Sequence, residues 1–281
     1  MSNLIDVAAL EGRLGDDGLR VLDVRFDLAD PAAGRAAYDA GHLPGAIYLH
    51  LDDDLSGRTA PDGRGGRHPL PDPQALAARL GALGVGAAHE VVAYDDGGGA
   101  IAARAWWLLR WIGHPRVRVL DGGFAAWRAA GGAVDAAAPS YPPATLEARP
   151  DPAMVVDADW VRAHLGEAGT TLVDARAPER YRGTHEPIDP VAGHVPGAVN
   201  LPYADNLVGG RFAAAEALRR RFAPVAAADT VVVYCGSGVT AAHDALAMEE
   251  AGLGLPRLYA GSWSDWCSRD DVPVARADEP A

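Results

Sequence analysis

The 281-residue chain is 49 % apolar, long enough and apolar enough for two domains of roughly 100–150 residues with separate cores. Its net charge of −13 argues against nucleic acid and anionic membrane surfaces as partners, and the absence of lysine excludes Schiff-base and lysine general-base chemistry. Two cysteines are too few for a disulfide framework, no signal-peptide core opens the chain, and no run reaches the roughly 18 apolar residues of a membrane span, which points to a cytoplasmic protein.

Along the chain, short apolar runs alternate with amphipathic stretches. "RVLDVR" (20–25) and "GAIYLH" (45–50) read as buried strands, and Asp52–Asp54 after them as a solvated acidic turn. "QALAARLGALG" (Gln74–Gly84) predicts a helix and "EVVAYDD" (90–96) a strand. "AIAARAWWLLRWIG" (Ala100–Gly113) predicts a helix apolar almost all round, hence buried, and "RVRVLDGG" (116–123) the next strand. "AAAPSYPPATLEARPDPA" (Ala136–Ala153), proline-rich and aperiodic, predicts a semi-rigid surface linker. The expected domains are 1–138 and 154–281, joined by a linker at 139–153.

The second half repeats the first. "VLDVR" (Val21–Arg25) returns as "LVDAR" (Leu172–Arg176), and "GHLPGAIYL" (Gly41–Leu49) as "GHVPGAVNL" (Gly193–Leu201). "EVVAYDDGGGA" (Glu90–Ala100) pairs with "TVVVYCGSGVT" (Thr230–Thr240), and "DGGFAAW" (Asp121–Trp127) with "AGSWSDW" (Ala260–Trp266). The order is kept, with offsets from 139 (121 to 260) to 152 (41 to 193), so the domain is duplicated. Strands alternating with helices imply an α/β fold in each half: a mainly parallel sheet flanked by helices, with ligands at the carboxyl ends of the strands.

Cys235 stands at such an end. The loop "CGSGVT" joins a strand to the predicted helix "TAAHDALAMEEAG" (Thr240–Gly252). Gly236 and Gly238 let the backbone curl its N–H groups inward, and together with the helix dipole these favour an anion at sulfur. Cysteine phosphatases need an arginine six residues after the nucleophile to clamp three oxygens. Here that position is Ala241, which argues against phosphoryl transfer.

The tandem repeats, "GHLPGA"/"GHVPGA", the loop "CGSGVT" and the closing "GSWSDW" together resemble the rhodanese family of sulfurtransferases over nearly the whole chain. Within that family "CGSGVT" resembles the loop of mercaptopyruvate-using members, whereas thiosulfate-specific members carry a basic "CRKGVT". The resemblance implies two-step transfer. Cys235 takes sulfur from a small anionic donor as a persulfide, releasing pyruvate when the donor is 3-mercaptopyruvate. Thioredoxin, another thiol or cyanide then accepts it. No cofactor and no metal are implied, and the scattered histidines show no ligand spacing.

The resemblance also assigns roles. Gly236, Gly238, Val239 and Thr240 would cradle the substrate, and Arg180 would grip the donor carboxylate. Ser237 would join a histidine and an aspartate in a proton relay. His42 of "GHLPGA" fits that histidine by motif, although His194 in the second copy leaves a fold-related role for both equally open. Asp27 and Asp30 are the nearest candidates for the aspartate. Asp95 replaces the nucleophile in the first copy, so that domain is expected to be silent and to serve as a wall of the substrate cleft. Asp174 and Arg176 read as structural, Arg182 is unassigned, and His243, Trp263 and Trp266 read as packing or surface residues. Cys267 reads as a packing residue, with a redox role as the lesser alternative. Mercaptopyruvate-using members carry a second arginine where this chain has Asp189, an acid shared with thiosulfate-using members. The alternatives are therefore a thiosulfate:cyanide sulfurtransferase and a non-catalytic persulfide carrier.

Overall fold

The structure, a computed structural model, describes residues 2–276. In the first half, β1 (Leu4–Ile5), β2 (Leu19–Asp23), β3 (Ala46–Tyr48), β4 (Glu90–Tyr94) and β5 (Val117–Leu120) form a five-stranded sheet of order β1-β5-β4-β2-β3. In the second, β6 (Val155–Val156), β7 (Thr170–Asp174), β8 (Val199–Asn200), β9 (Thr230–Tyr234) and β10 (Arg257–Tyr259) repeat that order as β6-β10-β9-β7-β8. Every pairing among these strands is parallel, so the expected α/β fold with flanking helices is what the chain adopts. The two-residue edge strands β1 and β6 are too short to leave a periodic signal.

The central strands are buried on both faces, which is why "VVVY" reads as an unbroken apolar run. Each ends in a buried tyrosine. The Tyr94 hydroxyl donates to Asp23 Oδ2 (2.5 Å) and accepts from Leu43 N–H (3.1 Å); the Tyr234 hydroxyl accepts from Val195 N–H (3.1 Å). The repeated Asp-x-Arg closes the neighbouring strand. Arg25 Nη2 reaches Asp23 Oδ2 at 2.7 Å and Gly41 O at 2.7 Å, and Arg176 Nη2 reaches Asp174 Oδ2 at 2.6 Å and Gly193 O at 2.7 Å. All four side chains are buried, so losing one partner would strand a charge at a cost of about 3–5 kcal/mol.

The chain parts into two compact units that are not contiguous halves. The first comprises 2–57, 71–151 and 209–212, the second 58–70, 152–208 and 213–276. The expected linker belongs to the first unit: Ala144 N–H bonds Gly81 O (2.9 Å), and Arg149 N–H bonds Ile112 O (2.8 Å). Segment 58–70 belongs to the second, where Gly65 N–H bonds Asp265 Oδ1 (3.0 Å) and Arg67 N–H bonds Ser264 Oγ (3.1 Å). Helix Ala100–Trp111 is buried along most of its length, and Thr240–Glu250 likewise. Among the described residues no helix is long and apolar enough to cross a membrane.

Candidate active site

Strand β9 lies between β10 and β7, where the chain reverses its direction of sheet growth, and Cys235 follows it directly. The residue is 2 % exposed. The loop curls back so that Gly238 N–H donates to Sγ at 3.1 Å, and the helix Thr240–Glu250 begins immediately after. That curl requires glycine: Gly238 has φ +78°, and a Cβ there would collide with the Ala260 carbonyl. Val239 is buried behind the loop and Thr240 opens the helix.

A second segment staples the loop. Cys235 O accepts from Trp263 N–H and Gly236 O from Ser264 N–H, both at 2.9 Å. Cys235 N–H donates to Ser262 Oγ (3.1 Å), which in turn donates to Tyr259 O (2.9 Å). Ser262 adopts φ +55°, the sole left-handed non-glycine among the described residues. In the first unit the matching position is Gly123, at φ +56°. A residue strained by about 1 kcal/mol or more thus supports the cysteine through its hydroxyl.

The first unit builds the same cradle around a carboxylate. Asp95 Oδ1 accepts from Gly97 and Gly99 N–H (both 3.1 Å), and Oδ2 from Ile101 (2.9 Å) and Ala102 (3.2 Å). Burial pushes the Asp95 carboxyl up to about 6 against the pull of these amides. This loop carries its own anion and has no nucleophilic sulfur.

Around Cys235 the second unit gathers a hydroxyl–imidazole pair and two arginines. Ser237 Oγ lies 2.7 Å from His68 Nδ1, both side chains buried. Arg180, in helix Pro178–Arg182, bonds Glu186 through Nε (3.0 Å to Oε2) and Nη2 (2.8 Å to Oε1), and Asp189 Oδ2 through Nη2 (2.9 Å). Arg67 Nη1 pairs with the other Asp189 oxygen. A Cβ on Gly236 would stand 3.0 Å from Arg67 Nη2 and 3.3 Å from Arg180 Nη1, so both guanidinium groups lean over the sulfur loop.

The structure therefore brings together Cys235, Gly236, Ser237, Gly238 and Arg180, but not His42. Both ring nitrogens of His42 face backbone carbonyls of the first unit, Tyr38 O (2.8 Å) and Ala137 O (3.3 Å), and its ring stacks on Tyr38. His194 repeats that arrangement on Tyr181, with Nδ1 2.7 Å from Tyr181 O, so this motif histidine is a fold element in both copies. The imidazole on Ser237 is His68. Asp27 and Asp30 are exposed and accept from the N–H of Ala29 and Ala32 in their own turns. Arg182 is exposed. His243 is fully buried beside Asn206, and Trp263 and Trp266 are core residues. Cys267 is half-buried, and burial pushes its thiol up to about 11, as suits a packing residue.

A further repeat carries a trace of Arg67 and His68: "GGRH" (65–68) returns as "GGRF" (209–212), with phenylalanine replacing histidine in the segment belonging to the first unit. The segment that receives them differs in parallel, since Ser264 and Asp265 correspond to Ala125 and Ala126.

A rhodanese-like domain profile matches residues 6–130 and 157–269. The chain is 49 % identical over 284 residues to a probable 3-mercaptopyruvate sulfurtransferase of Pseudomonas aeruginosa, covering 99 % of each chain. It is 42 % identical over 278 residues to a putative thiosulfate sulfurtransferase, SseB, of Mycobacterium tuberculosis, covering 97 % of this chain and 96 % of that one. Its fold matches the crystal structure of SseA from Escherichia coli, described among the 3-mercaptopyruvate sulfotransferases, with TM-score 0.83 and 28 % identity over 94 % of this chain and 99 % of that one. With both halves matched and a relative 49 % identical from end to end, the chain belongs to the rhodanese-like domain family.

Proposed function

We propose that the protein is a sulfurtransferase that moves sulfur from 3-mercaptopyruvate through a Cys235 persulfide to a thiol such as thioredoxin, or to cyanide, and releases pyruvate. The observation that carries this reading is Cys235 Sγ held by Gly238 N–H, with the Ser237–His68 pair and two arginines around the same loop. In the first step the cysteine thiolate attacks the donor sulfur. The carbon–sulfur bond breaks, its electron pair leaves on carbon as the pyruvate enolate, and a proton on that carbon completes pyruvate. The Ser237–His68 pair supplies a proton carrier beside the loop. Arg180 Nη1 and Arg67 Nη2, both turned to Gly236, offer N–H donors from two guanidinium groups to the donor carboxylate. In the second step an acceptor thiolate attacks the outer sulfur, the sulfur–sulfur bond breaks and Cys235 thiolate returns.

Thiosulfate as the donor is the second reading, favoured by Asp189 and by the name of the Mycobacterium tuberculosis relative. One assay separates the two: purified protein given each donor with cyanide, with pyruvate and thiocyanate measured. The proposal expects efficient pyruvate release that Cys235→Ser abolishes. Thiosulfate turnover far above mercaptopyruvate turnover overturns the donor. A sulfur adduct on Cys235 that forms but never transfers identifies a carrier rather than an enzyme.

A further inference from the structure

We infer that Asp189 is a positioning residue that sets the donor preference of the Cys235 site, aiming Arg67 and Arg180 at the sulfur loop while cancelling part of their charge; this rests on the sulfur-transfer reading above. The Asp189 side chain is 2 % exposed and gives one oxygen to each guanidinium, Oδ2 to Arg180 Nη2 at 2.9 Å and Oδ1 to Arg67 Nη1. Its own N–H bonds Glu186 Oε1 (3.1 Å), as does that of Ile188 (3.0 Å), so the carboxylate is fixed by a turn wrapped around a second carboxylate.

The consequence for the arginines is directional. Arg180 commits its Nε and Nη2 edge to Glu186 and Asp189, which leaves Nη1 turned to Gly236. Arg67 commits Nη1 and turns Nη2 to the same glycine. A planar fork held on one edge by a carboxylate presents its remaining N–H groups in a fixed direction. Asp189 thus performs, by recruiting Arg67, the task of a second arginine at its own position.

The consequence for charge is selective. Arg67 and Arg180 are opposed by Glu186 and Asp189, and Arg176 behind them by Asp174, so these six side chains sum to zero and leave the Cys235 thiolate charge unoffset. A donor is met by aimed N–H groups and not by surplus positive charge. A monocarboxylate needs no more than that. A dianion such as thiosulfate carries a second charge that this neutral cluster does not offset. The acid at position 189, which in sequence points towards thiosulfate, acts here against it.

The test is the ratio of kcat/KM for thiosulfate to that for 3-mercaptopyruvate, with cyanide as acceptor. Asp189→Asn keeps the shape and removes one negative charge, and the ratio is expected to rise about tenfold. Arg67→Gln leaves the cluster negative and lowers the ratio by about tenfold, while Asp189→Glu, which keeps the charge, holds it within about threefold of wild type. Loss of folded protein lowers both constants together and leaves their ratio alone. A ratio unmoved or moved the other way in Asp189→Asn overturns the inference, as does the same result in Arg67→Gln. Should Asp189→Asn not fold, Arg67→Gln decides, its side chain being 34 % exposed. Wild-type protein that turns over neither donor defeats the sulfur-transfer reading itself; active wild type with an unmoved ratio defeats only the role of Asp189.

Discussion

His68 Nδ1 lies 2.7 Å from Ser237 Oγ, tying the "GGRH" segment to a loop 169 residues further along the chain. The pair is buried, lies within the unit that holds Cys235, and has no equivalent in the first unit, where Gly97 and Phe212 occupy the matching positions.

If this pair carries the proton, His68→Ala and Ser237→Ala should each lower kcat for mercaptopyruvate by about 10²–10⁴, with the double variant little worse than either single one. His42→Gln should behave oppositely. It loses a stacked ring and a buried hydrogen bond, so the melting temperature falls, while turnover per folded molecule is kept. Thermal melts and single-turnover pyruvate release on the three variants check both halves of the expectation.

Ser262 supports Cys235 from a strained backbone, and two substitutions separate strain from hydrogen bonding. Ser262→Ala keeps φ +55° and removes the acceptor of Cys235 N–H, so stability should fall by about 1–3 kcal/mol and persulfide formation should slow. Ser262→Gly removes the same acceptor but relieves the strain, and should be more stable than the alanine variant by about 1 kcal/mol. Equal stability of the two by chemical denaturation would contradict the strain argument.

Gly238→Ala should be more damaging than either. A Cβ at φ +78° meets the Ala260 carbonyl, which is backbone and cannot rotate aside. The loop must open, Gly238 N–H leaves Sγ, and sulfur transfer should drop by at least about 10², the range seen when a single anion-stabilising donor is lost. Retained activity in this variant would show that the amide contact is dispensable.

These positions also mark where the sequence was readable. The alternation of strands and helices, the parallel sheets and the cysteine loop were legible because duplication wrote each twice, the loop once with Cys235 and once with Asp95. Arg180 could be placed because "DARAPERYRGTHEP" matches the segment of the family that carries the donor-binding arginine. Arg67 and His68 could not, because their role depends on a segment of the first half of the chain folding into the second unit, and no local periodicity encodes that crossing. His42 misled because "GHxPGA" does in both copies the same structural work, a histidine bonded to a tyrosine carbonyl and stacked on its ring. Asp189 was visible as a departure, but an acid that aims two arginines cannot be told by spacing from an acid that repels a donor.

Two buried carboxylates each contribute a pH dependence of definite sign. Burial pushes Asp95 up to about 6 and Asp244 up to about 7, against an ordinary value of 3.8. Asp244 is anchored by Asn206 Nδ2 at 2.7 Å on Oδ1, while Oδ2 has no hydrogen-bond partner among the described residues, so its charged form is poorly satisfied. A folded-state value above the unfolded one means that the native protein binds the proton more tightly. The associated stability is full below about 4 and is lost as pH rises through 6 and 7. Glu186 works in the opposite sense: its carboxyl is held below the ordinary 4.5 because the Arg180 hydrogen bonds and neighbouring amides outweigh burial, so its contribution is lost only as pH falls through the acid range. Asp244 alone should cost wild type about 2–3 kcal/mol between pH 5 and 8. Asp244→Asn is neutral throughout and keeps the oxygen that Asn206 bonds. Its stability relative to wild type should rise between pH 5 and pH 8, read from denaturant titrations at the two values. A relative stability that stays constant or falls would show that Asp244 is ionised in the folded protein over the whole range.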